Sequence, residues 1–279
     1  MRMRARRRVL GAAAMGAMLL ACEGSVEAAP AARVLFCGGP IWCDPIQAGR
    51  TQPMGPVEFV VPVAPVPGVR YVGVHERLLQ PVASPMGAGF DAAGQPLLSR
   101  LDGKGLPSGE RVVYIAGKSL GGATRDAVNG TMAHGIRIDD PALNGRPDAV
   151  LVVGRVATPG AAASALGVWY DGAYWWAYNE DGAAMGVAET VVYAEGTVLG
   201  GRAVHAPDND YQGVGLYLDD ARVNGNPSAV VVPTHAFGGA YNASALGVWY
   251  DASRGQWVVY NESGSALAPG QTIHYVVVP

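Results

Sequence analysis

Residues 165–171 read ALGVWYD, and the same seven letters return at residues 245–251. Working outward from that identity, residues 136–153 (IRIDDPALNGRPDAVLVV) align with 216–233 (LYLDDARVNGNPSAVVVP) at the same offset of 80. Residues 175–180 (WWAYNE) align with 257–262 (WVVYNE) after two extra residues, and 114–122 (YIAGKSLGG) with 193–201 (YAEGTVLGG). A self-similarity at fixed period marks a repeat architecture. Within each unit, Ala149 to Val153 and Ala229 to Val232 are continuous aliphatic runs that suit strands buried on both faces. Leu166 to Tyr170, Tyr174 to Tyr178 and Thr190 to Tyr193 are rich in β-branched and aromatic residues. Asn144-Gly145 and Asn224-Gly225 supply the positive φ that tight turns need.

A worn third copy is read in residues 33–113. Leu106 to Tyr114 (LPSGERVVY) resembles 185–193 (MGVAETVVY) and 267–275 (LAPGQTIHY), and Phe90-Asp91 stands where Tyr250-Asp251 does. Pro56 to Pro62 (PVEFVVP) is matched to Pro227 to Pro233 (PSAVVVP), which leaves extra residues around Tyr71 to Gln80. Val74 to Leu79 is long enough for one or two helical turns. The expected fold class is all-β: tandem, small, sandwich-like domains of about 80 residues. The expected boundaries are a leader at 1–21, a linker at 22–32, and units at 33–113, 114–194 and 195–279.

The rest of the composition agrees with that class. Gly 39 and Pro 20 in 279 residues interrupt long helices, and 15% charged against 49% hydrophobic residues argues for a folded chain. Five of the 20 Lys and Arg lie in residues 1–21, which hold none of the 23 Asp and Glu, so the remainder counts 15 basic against 23 acidic. So acidic a chain lacks the basic footprint of a nucleic-acid binder.

The basic start (Arg2, Arg4, Arg6, Arg7, Arg8) and the short apolar run Val9 to Ala21 read as a signal peptide, too short to span a bilayer. Leu19-Leu20-Ala21-Cys22 resembles a bacterial lipobox, making Cys22 the lipidation site and the membrane a partner through a lipid anchor. The alternative is cleavage near Ala29-Pro30-Ala31 to a soluble secreted protein. Arg6-Arg7-Arg8 followed by Val9-Leu10 also fits a twin-arginine export signal, so the route stays open. In an oxidising compartment Cys37 and Cys43 are left as a candidate disulfide.

The N-G-N-P turn, the aliphatic strand after it, G-V-W-Y-D and W-x-x-Y-N-E together resemble an uncharacterised bacterial extracellular tandem-repeat family. The resemblance spans residues 113–278 well and 33–113 poorly, with Tyr178 and Tyr260 in place of the usual phenylalanine. It implies an exported β-domain and no particular activity.

The chemistry-bearing patterns are sparse. Gly117-Lys118-Ser119-Leu120-Gly121 after a strand fits the G-x-S-x-G elbow of a serine hydrolase, with His134 or His205 and Asp139 or Asp219 as nominal partners. Against it, the second copy has Thr197-Val198 where a serine would stand, and the β-α alternation of that fold is absent. Asp208 to Asp219 half matches a calcium loop and reads better as a polar turn. The five histidines show no ligand spacing, so no metal or other cofactor is expected.

Trp169, Trp175, Trp249 and Trp257 recur in register and are expected to pack the core. Trp176 has Val258 as its counterpart and stands outside that shared frame. Asp171, Tyr174, Trp176 and Asn179, and again Tyr250, Asp251 and Asn261, are therefore the candidate ligand-binding residues, a surface on which a sugar ring stacks. The expected role is a non-catalytic contact with envelope polysaccharide or a surface protein. A hydrolase using Ser119 and a purely structural spacer are the alternatives.

Overall fold

In a computed structural model of the chain, the described residues are the strands within 32–60 and residues 69–279, apart from 78–79, 91–93, 95, 106, 108–109, 118 and 159–160. The leader and Cys22 lie outside them. The first unit supplies β1 (Ala32–Cys37), β2 (Cys43–Thr51), β3 (Glu58–Val60), β4 (Arg70–Glu76), β5 (Met86–Phe90), β6 (Pro96–Arg100) and β7 (Arg111–Gly117). The second supplies β8 (Gly121–Thr124), β9 (Gly135–Ile138), β10 (Leu151–Val156), β11 (Leu166–Tyr170), β12 (Trp175–Asn179) and β13 (Thr190–Glu195). The third supplies β14 (Gly200–Val204), β15 (Asp210–Tyr211), β16 (Gly215–Leu218), β17 (Val230–Ala236), β18 (Leu246–Asp251), β19 (Gln256–Asn261) and β20 (Thr272–Val278). Among the described residues there is no helix. The chain is all-β with tandem units.

The strands form three sheets, ordered β1-β2-β7-β4-β18-β19-β16-β15, β3-β6-β5-β10-β13-β8 and β14-β20-β17-β11-β12-β9. Each sheet joins strands of one unit to strands of another. The seam is a parallel pair every time: Gly247 opposite His75 (β18–β4), Gly87 opposite Arg155 (β5–β10) and Gly167 opposite His235 (β11–β17). All other pairings with a defined register are antiparallel, some between hairpin neighbours and others between strands distant in sequence. The first unit thus pairs with the second, the second with the third, and the third with the first. The three units close a ring with pseudo-threefold symmetry.

Alternation along each strand explains the packing. In β12, Trp175 and Ala177 face a core shared with Ile136, Ile138, Val168, Val191 and Tyr193, drawn from two sheets. The unit is therefore a two-layer sandwich whose layers belong to different sheets. In β4, β10 and β17 the equivalent residues Val72, Val152 and Val232 point the other way and meet at the axis, at 1%, 0% and 0% exposure. Trp175 Nε1 donates to the Arg146 carbonyl at 2.9 Å and Trp257 Nε1 to that of Asn226 at 3.0 Å, so these two core tryptophans also tie down the turns before β10 and β17. Those turns end on Gly145 and Gly225 at φ 75° and 74°, a conformation that L side chains resist.

Three expectations need correction. Pro56 to Pro62 is not the counterpart of Pro227 to Pro233: Glu58–Val60 forms β3 at a sheet edge beside β6, and β4 takes the place of β17. The reason is that β4 carries charged Arg70 and Glu76 where β17 has Val230 and Ala236, which hides it from a hydropathy match. Val74 to Glu76 lies in that strand rather than in a helical turn. Trp169 faces outward at 37% exposure, because alternation turns Val168 into the core and its neighbour away from it.

One contact between sheets is pH-sensitive. His274 on β20 accepts the Leu151 N–H of β10 at 3.2 Å and packs on Trp175 at 5.6 Å. Burial, assisted by the Arg202 charge, pushes its pKa down to about 3. The unfolded chain takes up a proton near pH 6.5 that the folded chain refuses until far lower, so this contribution is full above pH 6.5 and fades as pH falls. One such proton removes about 2 kcal/mol between pH 6.5 and 5. Urea unfolding of the wild type and of His274→Val at both pH values is expected to show that much less acid loss in the variant. Equal losses would mean that His274 is protonated in the fold.

Candidate functional site

The residues at the three seams are equivalent in position and unequal in chemistry. At the seam between the second and third units, buried Glu180 accepts from His235 Nδ1 at 2.5 Å, the Tyr178 hydroxyl at 2.9 Å and the Asn242 N–H at 2.7 Å. At the seam between the third and first, Glu262 accepts from His75 Nδ1 at 2.6 Å, the Tyr260 hydroxyl at 2.8 Å and the Val82 N–H at 2.6 Å. His75 Nε2 lies 3.1 Å from Glu110 Oε2 as well. At the seam between the first and second, Leu101 stands in the carboxylate's place and Arg155 in that of the histidine. Arg155 pairs with Glu189 and Asn179 of its own unit. Gly167 and Gly247 are required here, since a Cβ at either would collide with the glutamate. Burial, reinforced by the adjacent carboxylate, raises the Tyr178 and Tyr260 hydroxyls well above their usual range, so both remain donors.

On the outer face of the second–third seam lies an aromatic pocket of about 190 Å³ lined by Met132, His134, Trp169, Tyr178, Phe237 and Tyr241. β11 supplies Trp169 and β12 supplies Tyr178. Phe237 follows β17 and is held by its N–H on the Val168 carbonyl at 2.8 Å. Tyr241 precedes Asn242, which Glu180 anchors. The Tyr178 ring stands edge-on to Tyr241 at 5.6 Å and to Phe237 at 6.1 Å. His134 Nε2 and the Tyr241 hydroxyl are 3.1 Å apart. Trp169 and Tyr241 are 37% and 51% exposed, so the pocket opens to solvent while Glu180 fixes its floor from below.

The residues picked out by sequence do not assemble into a sugar platform. Trp176 is buried beside its register partners Trp169 and Arg137, and its Nε1 donates to Asp171 Oδ2 at 2.8 Å. Burial works to raise the Asp171 carboxyl, but that indole N–H and the backbone N–H groups of Tyr174 and Ala173 hold it below its usual value. The Arg137 guanidinium covers the Tyr174 ring at 4.7 Å. Asn179 and Asn261 are buried as well: one accepts from Arg155, the other from Asn242 at 2.8 Å. Tyr250 leans on Trp257 at 5.6 Å, and Asp251 accepts the Tyr217 hydroxyl at 3.0 Å. The polar ones, Asp171, Asn179, Asp251 and Asn261, share a physical reason: at strand ends they are consumed by turns and seams. Sequence reasoning missed Trp169, Phe237, Tyr241 and His134 as a group. The outward turn of Trp169 beside buried Val168 was the one available signal.

The other nominated groups also have places. Ser119 is exposed in the turn between β7 and β8, and the next element is a strand, not the helix of a nucleophile elbow. His205 Nε2 lies 2.8 Å from Asp210 Oδ1, while Asp139 and Asp219 accept from Asn144 and Asn224 at 2.8 Å each. The Asp208–Asp219 stretch forms the β15–β16 hairpin, with Gln212 and Gly213 at φ 54° and 74°. Among the described residues no group of three or more His, Cys, Asp or Glu side chains is arranged to hold a metal ion.

The family model described as a domain of unknown function, DUF7452, matches residues 102–192 and again 190–277, together well over half of the chain. No curated protein and no solved structure matches.

Proposed function

We propose that this chain, which belongs to the DUF7452 family, is an exported, lipid-anchored contact module of the cell envelope that holds a protein or polysaccharide ligand in the Trp169–Tyr178–Phe237–Tyr241 pocket. The open aromatic pocket carries the reading: rings exposed at a fixed seam gain more by burying against a ligand than by remaining wet. The basic leader and Leu19-Leu20-Ala21-Cys22 support export and anchoring. Cys37 and Cys43 are register partners in the β1–β2 pair, and opposed Cα atoms of antiparallel strands lie about 4.5–5.5 Å apart, within the range a disulfide bridges. A ring closed by three parallel seams favours a compact binding body over an extended spacer.

The test is a cell-envelope glycan and protein array probed with residues 23–279, beside Trp169→Ala and Tyr241→Ala. Binding is expected to fall about tenfold or more in each variant, as truncating a central aromatic contact does, with the melting temperature little changed because both side chains are at the surface. In cells the full chain is expected in the membrane fraction and Cys22→Ser in the soluble one. An array hit that both variants retain would remove the pocket from the function, and a soluble wild-type chain would remove the anchor.

A further inference from the structure

The second aromatic seam shows what such a pocket holds. Trp249 and Tyr260 are the counterparts of Trp169 and Tyr178, one repeat later, and Tyr211 packs on Trp249 at 5.6 Å. The residue after the central strand donates its N–H to the same carbonyl in both places: Phe237 to Val168 at 2.8 Å, Arg77 to Val248 at 2.9 Å. Arg77 therefore occupies the position of Phe237. Its guanidinium carbon sits 5.2 Å from the Tyr260 ring centre and 5.7 Å from that of Trp249. At the remaining seam the equivalent residues are Gly89, Ser99 and Ala157, none of them aromatic.

Extending the reading of the pocket given above, we infer that its ligand is an organic cation: an alkylated ammonium or a guanidinium group. The chain fills one of two equivalent aromatic seams with its own guanidinium and leaves the other open. A ring face attracts a cation through its quadrupole, most strongly for Trp and Tyr and more so when the cation is desolvated. The open pocket, about 190 Å³, exceeds several times the ~30 Å³ share of a water molecule. Beyond the leader the chain carries 15 basic against 23 acidic residues, a field that draws cations inward. His134 lines the same pocket, with its Nε2 3.1 Å from the Tyr241 hydroxyl. The cationic group is either a small free quaternary ammonium or the side chain of a partner protein.

NMR titration of residues 23–279 with choline, and with its uncharged tert-butyl isostere, separates charge from apolar shape. Choline is expected to bind about tenfold more tightly than the isostere, with one site per chain, and to shift Trp169 and Tyr241 resonances. Acetyl-trimethyl-lysine amide and acetyl-arginine amide probe the protein source, and tighter binding of either than of choline assigns the ligand to a partner side chain. Phe237→Arg places a guanidinium where Arg77 has one and is expected to abolish choline binding without loss of fold. Arg77→Ala opens the other seam and raises the stoichiometry to two, and Arg77→Gln serves if the alanine variant does not fold. Equal binding of choline and isostere, or unchanged choline binding in Phe237→Arg, overturns the inference. An array ligand that needs Trp169 while choline does not bind overturns the cation assignment alone. Choline binding with no array ligand that depends on Trp169 overturns the envelope-contact reading alone.

Discussion

Glu262→Ala is expected to lower the unfolding free energy by about 3–5 kcal/mol, because it strips the acceptor from three buried donors at once. The carboxylate is buried at 2% exposure and accepts three donors at once, from His75, Tyr260 and Val82. Truncation leaves each of them in a site that water enters poorly, and an unmet buried donor costs about 1–3 kcal/mol. Two of the three donors belong to the first unit and the carboxylate to the third. The change therefore loosens the seam that closes the ring, not a single sandwich. Glu262→Gln keeps an acceptor oxygen and loses the charge opposite His75, so its loss is expected to be intermediate. The measurement is the midpoint of urea unfolding at pH 7. A loss below about 1 kcal/mol for the alanine variant, the low end of the cost of one unmet donor, would mean that the carboxylate is replaceable by water and that the seam is not held by it.

How much of this was legible from sequence depends on how far apart the partners lie. The repeat, the strands of its second and third units and the inward tryptophans Trp175 and Trp257 are written locally, in ALGVWYD, in W-x-x-Y-N-E and in strand alternation. The parallel seams are not, because Gly167 and His235 or Gly247 and His75 meet with no local pattern to announce it. That is why Asn179 and Asn261 read as surface residues: their partners Arg155 and Asn242 come from other strands and loops. It is also why His75 and Glu110, 35 residues apart in the chain, gave no signal of a buried network. The pocket followed the same rule. Trp169 and Tyr178 are recognisable within one repeat, but Phe237 and Tyr241 reach them only through the seam, and the meaning of Phe237 emerges only beside Arg77.

The ring makes a prediction about the two family copies taken alone. A chain of residues 114–279 contains the later copy whole and all but the first twelve residues of the earlier one, and looks like a pair of domains by sequence. It lacks β4 and β5, which are the parallel partners of β18 and β10. It also lacks Val72, one of the three valines on the axis. Two aliphatic strand edges would then be open to solvent, the arrangement that invites pairing with another chain. The fragment is expected to associate or aggregate rather than remain a monomer, and to lose the single cooperative transition of the full chain. Light scattering and circular dichroism melts would show both effects. Supplying residues 22–113 as a separate chain is expected to recover a defined complex, since that piece carries β4, β5 and the first three residues of β7 with the seam residues His75 and Glu110. A monomeric fragment that melts as sharply as the full chain, with or without the added piece, would show that the two copies are self-sufficient. The first unit would then be an appendage, and the load on Glu262 would have to come from within the third unit alone. The two experiments therefore check one another: a ring held at its seams requires both a large loss in Glu262→Ala and an unstable two-copy fragment.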